Sequence, residues 1–211
     1  MIDIAQQLAA IHRAVGNRTL EQSEMVAVTL RREYDAEIAD VWEAITEPER
    51  VRRWFLPLSG DLREGGSFQL EGNAGGDILT CQAPRLLKVT FGGPVSLVTL
   101  TLTEGAEPET TLLELDHTVP KEMAGSGAGA LYVGPGWDGA LLGLALYLAG
   151  QESADPVAAA NSTEGQTFSL GSVRAWERTV RESGTATEEE LAAAVEVSLA
   201  QFAPAVRDLE S

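Results

Sequence analysis

Cysteine, histidine and lysine are all scarce in this 211-residue chain: Cys81 stands alone, the histidines are His12 and His117, and the lysines are Lys88 and Lys121. One cysteine excludes an internal disulfide and any cysteine-based zinc site. Two histidines far apart in sequence give no cluster for a metal, so no metal and no cofactor is expected. Positive charge is short as well. Against 15 Lys plus Arg stand 32 Asp plus Glu, a net charge of −17, which leaves no basic stripe for a phosphate backbone and makes nucleic acid and anionic membranes poor partners. The most apolar run, Gly139 to Ala149, is well short of the roughly 20 residues a spanning helix requires. Residues 1–14 lack the basic region, long apolar core and small-residue cleavage site of a signal peptide. A cytoplasmic protein is therefore expected.

What the chain does have is 44% hydrophobic and 22% charged residues, enough to bury a core. Ile4, Leu8, Ile11 and Val15 recur at helical spacing and predict one amphipathic N-terminal helix stopped at Gly16-Asn17. Residues 25–34 predict a strand with Val26, Val28 and Leu30 on one face, a face Arg32 would share. Two short helices follow, one built on Val41, Trp42 and Ile45, the other opened by Pro48 and carrying Val51, Trp54 and Phe55. From Leu58 to Val119, glycine and proline breaks separate five short strands, 67–71, 77–83, 86–92, 96–103 and 110–119, a spacing that suits an antiparallel meander. In the last three strands one face is apolar: Leu87, Val89, Phe91; Val98, Leu100, Leu102; Leu113, Leu115, His117.

A glycine-rich linker, 125–136, then leads to an apolar helix from Trp137 to Ala149, with Asp138 in its first turn. Two tail helices are expected over 164–182, with Val173, Trp176 and Val180, and over 188–207, opened by a capping box from Thr187 to Glu190.

Several segments carry a resemblance: Val41-Trp42, Thr46-Glu47-Pro48-Glu49, Trp54-Phe55-Leu56-Pro57, 60–68, Pro84-Arg85-Leu86, 113–117 and Gly136-Trp137. In this order and spacing they resemble the START-like, or helix-grip, superfamily, and within it the branch named for the activator of the heat-shock-protein-90 ATPase. The resemblance covers roughly Val26 to Gly150. It implies an α+β helix-grip fold, a curved antiparallel sheet wrapped on a long helix, with extra N- and C-terminal helices. The division expected is a helical extension over 1–22, the helix-grip domain over 23–150 and a helical extension over 151–211.

Fold does not fix function here. The resemblance implies an apolar cavity between sheet and long helix, and a small hydrophobic molecule as the partner it would hold. The expected lining is Trp54, Phe68, Leu70, Phe91, Leu100, Leu113, Leu115, His117, Trp137 and Leu141. Each of these also fits plain core packing, and His117 fits a neutral core histidine better than a base. No catalytic constellation is visible: there is no Ser-His-Asp set, phosphate loop or pair of carboxylates on an apolar face. A binding protein is thus expected ahead of two alternatives, a polyketide cyclase or aromatase using His117 or Arg32, and a co-chaperone-like module. The apolar stripes of the terminal helices must be buried somewhere, on the domain or in a homodimer.

Overall fold

The computed structural model describes residues 2–20 and 22–206. Eight strands hydrogen-bond in the order β1-β2-β8-β7-β6-β5-β4-β3, an open, curved antiparallel sheet accompanied by helices. They are β1 (His12–Leu20), β2 (Ser23–Tyr34), β3 (Leu58–Gly60), β4 (Ser67–Leu70), β5 (Gly75–Gln82), β6 (Leu86–Thr90), β7 (Leu97–Glu104) and β8 (Thr111–Pro120). The chain divides into two compact units. One comprises residues 1–30, 119–142 and 158–211, the other 31–118 and 143–157.

The second unit holds the meander. Its registers place Leu87 opposite Leu100, Val89 opposite Val98, Val98 opposite His117, Leu100 opposite Leu115 and Leu102 opposite Leu113. The alternation read from sequence therefore falls on one continuous apolar face, with Glu114 and Asp116 on the other and partly exposed. Helix α2 (Ile38–Thr46) buries Val41, Trp42 and Ala44, and α3 (Pro48–Val51) starts on its proline. The helix expected to carry Trp54 and Phe55 is shorter than its apolar spacing suggests. It closes at Val51, and both aromatics follow in a turn whose amide groups donate back to the Val51 carbonyl.

The first unit departs more from expectation. Helix α1 (Ile4–Ala9) ends early, and residues 12–20 form a strand where helical spacing continues. The guanidinium of Arg13 donates to the carbonyls of Leu8 and Ile11, capping the short helix, and strand pairing then outweighs a weak local helical preference. The linker is also structured. Helix α4 (Lys121–Ala124) is followed by a 3-10 helix, Gly127–Tyr132, that buries Ala128, Ala130 and Leu131. Helix α5 (Gly134–Leu148) therefore starts three residues earlier than expected, and a short α6 (Pro156–Asn161) precedes the tail. The tail helix α7 (Thr163–Ser183) forms as expected, and α8 (Glu188–Phe202) starts where expected but stops at Phe202, with residues 203–206 in a turn and the expected end at 207 outside the described residues. Val173, Trp176, Val180, Leu191, Val195 and Leu199 are all buried within this one chain.

Candidate functional site

In the second unit a buried polar pair interrupts the apolar sheet face. Ser96 Oγ and His117 Nε2 lie 2.9 Å apart, and both residues are buried. Strand β8 aims His117 inward because its alternation runs Leu113, Leu115, His117. Ser96 ends the turn that follows Gly92-Gly93-Pro94 and enters β7. Burial pulls the His117 imidazole down to about 4, with the charge of Asp116 working the other way. At neutral pH the imidazole is uncharged, and the pair offers hydrogen-bonding capacity without formal charge.

An aromatic row runs from this pair. Phe91 meets the His117 ring edge-on, centroids 6.0 Å apart, and Phe68 stacks on Phe91 at 6.3 Å. Phe68, Phe91 and Leu100 remain partly exposed, whereas Leu70, Leu113 and Leu115 are closed into the core. The cause of the Phe68 exposure is in the ladder. Phe68 faces Gly60 on β3 and Gly76 on β5, so neither neighbouring strand supplies a side chain to cover its ring. Gly76 is fixed as glycine by Thr90, whose backbone would collide with any Cβ there.

Trp54 packs instead. Its indole N–H donates to the Ala44 carbonyl at 2.9 Å, its ring stacks on Phe55, and Gly143 lies against its backbone. Of the ten residues expected to line a cavity, eight therefore belong to the second unit: Trp54, Phe68, Leu70, Phe91, Leu100, Leu113, Leu115 and His117. Trp137 and Leu141 belong to the first unit, Trp137 partly exposed and Leu141 buried. Arg32 and Tyr34, also in the second unit, are buried with the guanidinium over the phenol ring, 5.6 Å from its centroid. Burial pushes the Tyr34 hydroxyl far up, so it stays neutral. Sequence reading missed Ser96. Its only signal was a hydroxyl at the start of an alternating strand, and the strand register was needed to see it meet His117.

Among the described residues no group of three or more His, Cys, Asp or Glu could hold a metal, and no helix is long and apolar enough to cross a membrane.

A one-sided antiparallel sheet with these helices is the helix-grip architecture, and solved structures share it. CalU16 from Micromonospora echinospora is 40% identical, with 81% of this chain and 98% of that chain covered and a TM-score of 0.66. DynU16, described as a protein in the dynemicin biosynthetic locus, is 28% identical over 60% of this chain and 48% of that one, TM-score 0.52. EF2215 from Enterococcus faecalis, described as a conserved protein of unknown function, shares the fold at 15% identity, with 78% and 91% covered and a TM-score of 0.56. No curated protein matches the chain. Residues 35–149 match the family described as activator of Hsp90 ATPase homolog 1-like protein, and the chain belongs to that family.

Proposed function

We propose that this protein binds a small, mostly apolar molecule on the inner face of its second unit, without transforming it. The carrying observation is the row Phe68–Phe91–His117. Two phenyl rings are left partly open beside a buried, uncharged Ser96–His117 pair. Small-molecule sites combine such apolar walls with a few placed polar groups. The ligand's flat or aliphatic body lies against Phe68, Phe91 and Leu100, and one polar atom bonds to the pair. The description of DynU16 supports a ligand that arises from biosynthesis. A cyclase-like reaction gains less support, because an imidazole near 4 is a weak base at neutral pH and Asp116 lies on the opposite strand face. The chaperone-activating role rests on the family's description alone.

The test is titration of the purified chain with N-phenyl-1-naphthylamine, a neutral fluorescent probe, with native mass spectrometry for any co-purified molecule. Saturable one-to-one binding that weakens in Phe91→Ala supports the reading. A folded protein that neither takes up the probe nor carries a small molecule overturns it.

A further inference from the structure

Ser96 and His117 carry the polar end of the binding face, yet both are buried, so a ligand atom reaches them only where something beside them gives way. The turn of residues 92–95 adjoins them. It leaves β6 through Phe91, a ring of the apolar wall, and enters β7 through Ser96.

Both ends of this turn are firmly held. Before it, the Thr90 hydroxyl accepts from the Asp77 amide at 2.7 Å, and the Thr90 backbone lies against Gly76. Across its base the Phe91 amide donates to the Ser96 carbonyl at 2.9 Å, and the Ser96 hydroxyl is fastened to His117. Between these ends the hold is slight. None of residues 92–95 is buried, and Val95 stands 48% exposed. Among the described residues, a single hydrogen bond ties them to another turn, the Gly92 amide donating to the Gly75 carbonyl at 2.9 Å. The turn's own bond, from the Ser96 amide to the Gly93 carbonyl, is long at 3.4 Å. Gly92 has a φ of 72°, and nothing lies within 4 Å of a Cβ placed on Gly93, so these two glycines can absorb a change of chain direction. Segments with few buried contacts open at the least cost.

We propose that residues 92–95 form a flap hinged at Gly92-Gly93, which lifts from the 71–75 turn to admit a ligand's polar end to Ser96 and His117 and closes behind it. The flap depends on the binding reading given above and supplies its route of entry. Phe91 and Ser96, at the two ends, stay in place, so opening uncovers the polar pair without dismantling the aromatic wall. Closure shuts water out, and a hydrogen bond from the ligand to the pair is stronger for it.

Pinning the two turns together tests this. A Cβ on Gly92 stands 3.8 Å from that of Ala74, the separation found across a disulfide. Ala74→Cys/Gly92→Cys is made in a Cys81→Ser chain, and uptake of N-phenyl-1-naphthylamine is followed by stopped flow before and after reduction with dithiothreitol. The oxidised form is expected to take up the probe at least about tenfold more slowly, and reduction restores the rate. Because the left-handed φ of Gly92 disfavours a side chain, hydrogen exchange of the natural chain gives a second readout. The Gly92 amide is expected to open more readily than the Val89 amide and to slow when the probe is bound. Uptake at one rate in the oxidised and reduced forms overturns the flap, as does a Gly92 amide protected as well as that of Val89. A natural chain that takes up no probe overturns the binding reading itself, and the flap with it.

Discussion

Gly143 on α5 lies so close to the chain after α3 that a Cβ there would stand 2.7 Å from the carbonyl oxygen of Trp54. Backbone cannot yield as the end of a flexible side chain can. Gly143→Ala should therefore destabilise the protein by about 1–3 kcal/mol through overpacking, offset by up to about 1 kcal/mol from better helix propensity. Thermal unfolding should show a midpoint lower by a few degrees. An unchanged or higher midpoint would mean that the contact relaxes without cost.

His117 makes stability depend on pH. Its imidazole is held near 4 in the folded chain against 6.5 when unfolded, so the unfolded state gains protons first as pH falls. Stability contributed by keeping His117 neutral is complete above about 6.5 and is lost as pH drops toward 4, amounting to about 2 kcal/mol between pH 7 and pH 5. Asp138, whose carboxyl burial pushes up to about 6, works in the opposite direction over part of that range, so the useful comparison is with His117→Gln. Lowering the pH from 7 to 5 should raise the urea midpoint of His117→Gln relative to that of the natural chain, and the same change of midpoint in both proteins would refute the assignment.

Helix α8 depends on its first turn. The Thr187 hydroxyl accepts from the Glu190 amide at 3.2 Å, and the Glu190 carboxylate accepts from the Thr187 amide at 2.8 Å. Thr187→Ala removes half of this reciprocal pair and should cost about 1 kcal/mol, read by chemical denaturation, with Thr187→Ser close to neutral. Equal losses in both variants would place the role of Thr187 outside the cap.

Phe68 and Leu113 provide a contrast between wall and core. Phe68 is partly exposed and Leu113 is closed in the interior. Leu113→Ala should cost about 2–5 kcal/mol of stability. Phe68→Leu should cost under about 1.5 kcal/mol while weakening uptake of the naphthylamine probe severalfold. Probe binding that is indifferent to Phe68→Leu would move the ligand off this face.

Much of this was legible because amphipathic alternation survives in the sequence. The pairs Leu113/Glu114 and Leu115/Asp116 declare which way β8 faces, and the spacing of Val173, Trp176 and Val180 marks the buried side of α7. The capping box announces α8 by its own chemistry. Three things could not be read locally. Ile4, Leu8, Ile11 and Val15 suit a single helix, and only Arg13 bonding back to the turn, with strand pairing beyond it, divides the segment in two. The glycines of 125–136 suggest a loose linker, yet Ala128, Ala130 and Leu131 among them are buried. The Ser96–His117 pair spans two strands and the Arg13–Asp138 pair joins β1 to α5, so neither leaves a pattern along the chain. Asp138 in particular could be read only as a favourable charge at a helix start.

The glycines opposite Phe68 bear on selectivity. A ring with Gly60 on one side and Gly76 on the other has no cross-strand Cβ directly beside it, so swinging it aside costs the rotamer change and its stacking on Phe91, together of order 1 kcal/mol. The wall at that end then adjusts its width to its guest, whereas Ser96 and His117, fixed by two packed strands, do not move. Discrimination among ligands of different breadth should accordingly be poor, and discrimination among positions of their polar atom should be sharp.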